Sequence, residues 1–200
     1  MSNRPKRKPS SKPARKPVQA PSVWPKRLAT AGGLLLALVL VVVVAFQQPP
    51  PRGVPEGTET LAVGDPRHVD GDLYDDTALA PAGGPHAPVW LNCGVYEDVV
   101  PAENALHSLE HGAVWITYRP DIGTDGARAL RRLAPPRSRV IVSPVPNQEA
   151  PVVATAWARR LQVDSPGDSR LDQFVREFTT NGVAPEPTGR CDGGVGRPTS

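Results

Sequence analysis

Methionine is almost absent from this chain: Met1 is the only one in 200 residues. That excludes a thioether-rich copper(I) carrier, which needs several soft sulfur ligands. Cysteine is nearly as scarce, with Cys93 and Cys191 alone, and the chain contains no C-x-x-C. Dithiol redox catalysis of the thioredoxin kind is excluded with it. No internal repeat is present, so a solenoid is excluded too. Acidic residues are missing from residues 1–46, and no charge of either sign occurs in residues 28–46. Histidine occurs four times, as His68, His86, His107 and His111, and never in the last 89 residues.

The absences at the N-terminus have a reading of their own. Residues 1–27 hold nine Lys or Arg with many Pro and Ser. Such a segment has nothing to bury and is expected to be a disordered basic tail. Leu28–Phe46 reads LATAGGLLLALVLVVVVAF. As a helix rising 1.5 Å per residue, it nearly matches the ~30 Å hydrocarbon core of a bilayer. It exceeds the ~7–15-residue apolar run of a cleaved signal peptide. The expectation is a single-pass transmembrane anchor. The positive-inside rule then keeps the basic tail cytoplasmic, against anionic lipid, and places residues 47–200 outside the membrane. That outer part holds 14 basic and 20 acidic residues, so the overall charge of +3 belongs to the tail. A nucleic-acid-binding role for the outer part loses its electrostatic footing.

Residues 47–82 read as a Pro-rich stalk, QQPPPRGVPEG, followed by a polar, turn-rich loop. The run D-G-D-L-Y-D-D in that loop lacks the ligand spacing of an EF-hand. The folded domain is expected from Gly83 to Thr180, and residues 181–200 as a Gly/Pro-rich tail, loose except at Cys191. Pro101 suits the first turn of a helix, Glu103 complements its dipole, and Gly112 ends it after His111. Ala113–Tyr118 and Val140–Ser143 read as strands, and Asp125–Ala134 as a helix stopped by Pro135-Pro136. Val152–Val163 reads as one strand, the second arm of a hairpin. Leu171, Phe174, Val175 and Phe178 fall at helical spacing, with Asp168 as the cap. The order from Pro101 is helix, strand, helix, strand, strand, helix. The expected class is α/β (α+β), helices packed on a small mixed sheet, in an order that resembles the thioredoxin-like arrangement.

The chemistry concentrates in Leu106–Gly112, L-H-S-L-E-H-G. His107 and His111 are four apart, so a helix stacks both rings on one face. Neutral imidazole suits zinc, copper and nickel. His86, in G-G-P-H, and His68, in H-V-D-G, are the candidates to complete a metal site with them. Glu110 makes the order H-x-x-E-H, the signature of inverted-motif zinc peptidases, where Glu110 would activate water; a distal acidic ligand is not obvious, although Glu177 sits on a later helix. Catalysis is the lesser reading, because Glu110 lies at the helix end and the domain is small. A plainer alternative makes the histidines structural, with His111 favoured by the helix dipole and Glu103 hydrogen-bonded to His107 one turn on. The domain would then be a non-catalytic envelope scaffold that meets another envelope protein. Trp90, Trp115 and Trp157 lie in apolar runs and read as core. Outside the membrane, Cys93 and Cys191 can form one bridge closing a loop of about 100 residues; alternatively Cys93 stays a thiolate at the metal site.

The stretch Asn92–Asp121, together with H-V-D-G at His68 and G-G-P-H at His86, resembles a bacterial membrane-anchored family catalogued as domain of unknown function 3105. The similarity runs from about His68 to Cys191. Asp70 stands where that family has Glu, and G-G-P-H stands for its S-G-P-H. The resemblance implies a single-span anchor, an extracytoplasmic domain, and motif status for His68, His86, Cys93, His107, Glu110, His111 and Cys191. It implies no activity. The function expected is a membrane-anchored extracytoplasmic domain binding zinc or copper through His86, His107 and His111, with His68 or Glu110 assisting.

Overall fold

Alternating apolar residues on three consecutive β-branched runs build the centre of the molecule. The computed structural model describes residues 53–180 and 183–199. The expected basic tail and the expected anchor, Leu28–Phe46, lie outside the described residues. Among those described, no helix is long and apolar enough to cross a membrane.

Six strands form one sheet: β1 (Glu59–Thr60), β2 (Gly94–Val95), β3 (Val114–Tyr118), β4 (Val140–Pro144), β5 (Val152–Ala156) and β6 (Arg159–Val163). Their order is β1-β6-β5-β3-β4-β2. β2, β4 and β3 are parallel, whereas β3, β5, β6 and β1 pair antiparallel. Among the described residues, three α-helices pack with the sheet: α1 (Ala102–Glu110), α2 (Gly123–Arg131) and α3 (Ser169–Thr180). The class is therefore α+β on a mixed sheet, as the residue patterns lead one to expect.

Strand alternation divides the core into two layers. On one face Val114, Ile116, Val140, Val142 and Ala154 meet Leu130 of α2 and Leu171, Phe174 and Phe178 of α3. On the other face Trp115, Ile141 and Trp157 meet Ala105, Leu106 and Leu109 of α1. Trp115 Nε1 donates to Ser143 Oγ at 2.9 Å, which satisfies its one polar atom inside the core. Trp115 and Trp157 are core residues, as expected; Trp90 is half-buried.

Several expectations change. Val152–Val163 is two strands and not one. The turn between them is Trp157–Ala158, and Ala158 sits at φ +56°. Neither residue is a usual turn former. The turn is held by tertiary bonds, from Ala158 N–H to the Ala82 carbonyl at 2.7 Å and from Leu61 N–H to the Ala158 carbonyl at 3.0 Å. Those bonds also show that the fold extends upstream of Gly83: β1 lies in the sheet, and Ala80 and Ala82 are buried. The end of the chain is not loose either. Val195 bridges Leu91, and Thr199 N–H donates to the Val95 carbonyl at 2.7 Å.

Candidate metal centre

α1 presents three of the site's side chains. His107, Glu110 and His111 recur at i, i+3 and i+4, so they share one face of the helix and its end. The N-terminus of α1 is capped from a distance, by Asp76 Oδ1 accepting the Ala102 N–H at 2.6 Å. Its C-terminus closes at Gly112, whose φ of +86° is the left-handed conformation that suits glycine. Glu103 does not reach His107. Its Oε1 accepts the N–H groups of Leu73 and Tyr74 at 2.6 and 2.8 Å, tying the acidic loop to the helix.

Two more imidazoles arrive on paired backbone. His68 and His86 are partners in an isolated parallel bridge, made by Val69 N–H to His86 O at 2.8 Å and His86 N–H to Arg67 O at 2.9 Å. Partners in such a bridge send their side chains to the same side. The polar loop thus delivers His68 to the α1 face. One potential ligand atom each from His68, His86, His107 and Glu110 lies within 4.8 Å of all the others. His86, His107 and Glu110 are buried, and His68 is exposed, so the group has one solvent-facing side.

Hydrogen-bond accounting fixes which ring nitrogens face inward. His86 Nδ1 lies 2.8 Å from the Gly84 carbonyl, His107 Nδ1 2.7 Å from Ala87 O, and His111 Nδ1 2.6 Å from Arg190 O. A carbonyl only accepts, so each Nδ1 carries its proton. In a neutral ring the Nε2 is then a bare lone pair. These lone pairs face other acceptors. His107 Nε2 is 3.1 Å from His111 Nε2, and Glu110 Oε2 is 2.9 Å from His86 Nε2 and 3.5 Å from His68 Nε2. His111 Nε2 also lies 3.7 Å from Glu186 Oε2. Among the described residues, the Nε2 atoms of neutral His86, His107 and His111 thus face a carboxylate or one another without a proton of their own, an arrangement that a cation or extra protons would stabilise. Ligands at ~2.0–2.2 Å from a tetrahedral ion stand roughly 3.3–3.6 Å apart, which falls inside the 4.8 Å span of the four ligand atoms.

Burial holds His107 below the ordinary histidine pKa, against the hydrogen bond to Ala87, and the neighbouring His111, His86 and His68 push it lower still. It is therefore the neutral form that occupies the site, and neutral imidazole is the metal-binding form. Aromatic rings wall the group in: His68 stacks on His107 with centroids 4.7 Å apart, Trp90 lies 5.2 Å from His111, and Trp157 5.9 Å from His86.

The family model described as "Protein of unknown function (DUF3105)" matches residues 73–193. The chain belongs to that family. The DUF3105 match takes in His86, His107, Glu110, His111 and both cysteines, and begins just after His68. No curated protein and no solved structure matches the chain.

Within this DUF3105 domain, Cys93 and Cys191 are joined as a disulfide, with Cα atoms 5.3 Å apart. The alternative of a Cys93 thiolate at the metal site is thereby removed. Glu177 stands on α3, which packs on the sheet face opposite α1, and is not part of the cluster. Glu110 joins it through an oxygen beside two imidazoles. His111 stands next to His107 at the edge of the four-residue group. Sequence reasoning missed three contributors: Asp76 as the helix cap, Glu186, and Gly189, which lies against the His111 ring. No spacing rule points to any of them, because each acts across a long stretch of chain.

Proposed function

We propose that this chain is a membrane-anchored, extracytoplasmic protein whose domain binds one transition-metal ion, zinc(II) or copper(II). The ligands are the Nε2 atoms of His68, His86 and His107 and Oε2 of Glu110, with His111 adjacent as a fifth group. The observation that carries this reading is the convergence of bare Nε2 lone pairs and a carboxylate, with three of the opposite ring nitrogens anchored on carbonyls. Such outer hydrogen bonds fix the tautomer and aim of metal-binding histidines. Imidazole with carboxylate suits a borderline ion, and with both cysteines in the disulfide no thiolate remains to select a softer one.

The setting of the domain rests on sequence chemistry. The uncharged run Leu28–Phe46 behind nine basic residues supports an anchor with its N-terminus cytoplasmic. A disulfide favours an oxidising compartment. The run β3-α2-β4-β5-β6-α3, with sheet order β6-β5-β3-β4, supports a thioredoxin-like scaffold used here for binding in place of dithiol chemistry. Glu110 is a ligand in this reading and not a water-activating base, which argues against the inverted-motif hydrolase.

Calorimetric titration of the purified full chain with zinc(II) and with copper(II) tests the proposal. One ion per chain is expected, with no binding after combined His86→Ala and His107→Ala. Unchanged stoichiometry in that variant overturns it.

A further inference from the structure

Residues 184–192 cross the end of α1 as a strap that meets the His111 ring from more than one position. Glu186 N–H donates to the Glu110 carbonyl at 2.9 Å, and Glu186 Oε2 stands 3.7 Å from His111 Nε2. The Arg190 carbonyl accepts from His111 Nδ1 at 2.6 Å. A Cβ on Gly189 would lie 2.2 Å from His111 Cδ2, so only glycine permits the strap to lie on that ring. Arg139 Nη2 bonds both the His111 carbonyl and the Gly189 carbonyl, at 2.8 Å for the latter, clamping strap to helix end. The next residue after Arg190 is Cys191, tied to Cys93 across 98 positions of sequence. Cys93 is tied in turn by its N–H to the Cys191 carbonyl at 2.8 Å.

We infer that the strap is the positioning element of the metal centre, and that the Cys93–Cys191 disulfide locks it so that His111 is held beside His107 as the fifth group of the site. This rests on the metal-binding reading above. Arg190, through its carbonyl, and Gly189 are positioning residues: they touch His111 and not the ion. Breaking the disulfide takes two electrons and two protons from a dithiol, which leaves as its own disulfide, and gives two free thiols. The strap then loses its covalent tether, and the His111 ring loses the fixed acceptor that sets its tautomer and aim. The high-affinity site is therefore complete only in chain that has been oxidised. By linkage, whatever factor the disulfide adds to metal affinity, the metal adds to the disulfide's resistance to reduction.

A double-mutant cycle tests this, with zinc(II) affinity of the full chain read by competition with a chromophoric chelator. Cys93→Ser with Cys191→Ser should weaken binding about 10–100-fold, the range for losing outer groups at a metal site. Gly189→Ala keeps the disulfide but displaces the ring, and should weaken binding to a similar degree. In a His111→Ala background both changes should lose their effect, because nothing remains for the strap to position. A general loss of folding would persist in that background and would overturn the inference, as would serine variants that bind zinc as tightly as the parent chain. Absence of zinc binding by the parent chain would instead refute the metal-binding reading on which this one stands.

Discussion

His68 and His86 are partners in one isolated parallel bridge, so two hydrogen bonds of loop backbone carry two of the four convergent ligands. The pairing ties the acidic loop to the G-G-P-H turn, and both to the face of α1. Val69→Pro removes the N–H that bonds the His86 carbonyl and alters no ligand. Metal affinity should fall about 10-fold or more, as for outer-sphere changes at other metal sites. Chelator competition checks it; an unchanged affinity would show that the bridge does not hold the site.

Glu110→Gln separates a ligand from a base. Gln keeps the shape but loses the charge beside His86 and His68. As a ligand change it should weaken zinc binding by at least about 10-fold. Had Glu110 served only to activate water, affinity would stay at the parental value.

Copper(II) should quench tryptophan emission strongly, because the Trp90 and Trp157 rings lie 5.2 and 5.9 Å from His111 and His86. Trp90→Phe should remove a large part of the quenched signal while stoichiometry holds. Equal quenching in parent and variant would place the ion elsewhere.

Asp76 caps α1 through one oxygen, yet burial raises its carboxyl pKa, with Glu103, Asp72 and Asp75 adding to the rise and the Ala102 hydrogen bond opposing it. A carboxyl raised on folding is penalised while ionised, and the penalty is relieved as pH falls through its folded pKa. Asp76→Asn retains an acceptor without the charge and should be neutral or stabilising at pH 7. Asp76→Ala should cost about 1 kcal/mol, the usual loss for a cap. Denaturant unfolding of both variants at pH 7 and at mild acid checks the order.

Local periodicity made much of this legible in the sequence. α1, β3, α2, β4 and α3 follow from apolar spacing and from Pro101, Gly112 and Asp168, whose Oδ1 accepts the Arg170 N–H at 2.9 Å. The His107–His111 pair followed from helical geometry, and His86 and His68 from their position in short motifs. What stayed hidden depends on distant partners. The Trp157–Ala158 turn exists because Ala82 and Leu61 bond it. Glu103 turns to the Leu73 and Tyr74 N–H groups, whereas His107 Nδ1 is bonded to the Ala87 carbonyl. The strap over His111 depends on the ring contact at Gly189 and on a disulfide closing from the far end of the domain.

Elemental analysis of the full chain, purified from an oxidising compartment without a histidine tag, tests the central claim most directly. Close to one zinc or copper per chain is expected, and almost none from a His86→Ala chain that keeps its Cys93–Cys191 disulfide. A parent chain that carries no metal and takes up neither ion when they are supplied would contradict the account, leaving the four histidines and Glu110 a protonated structural cluster.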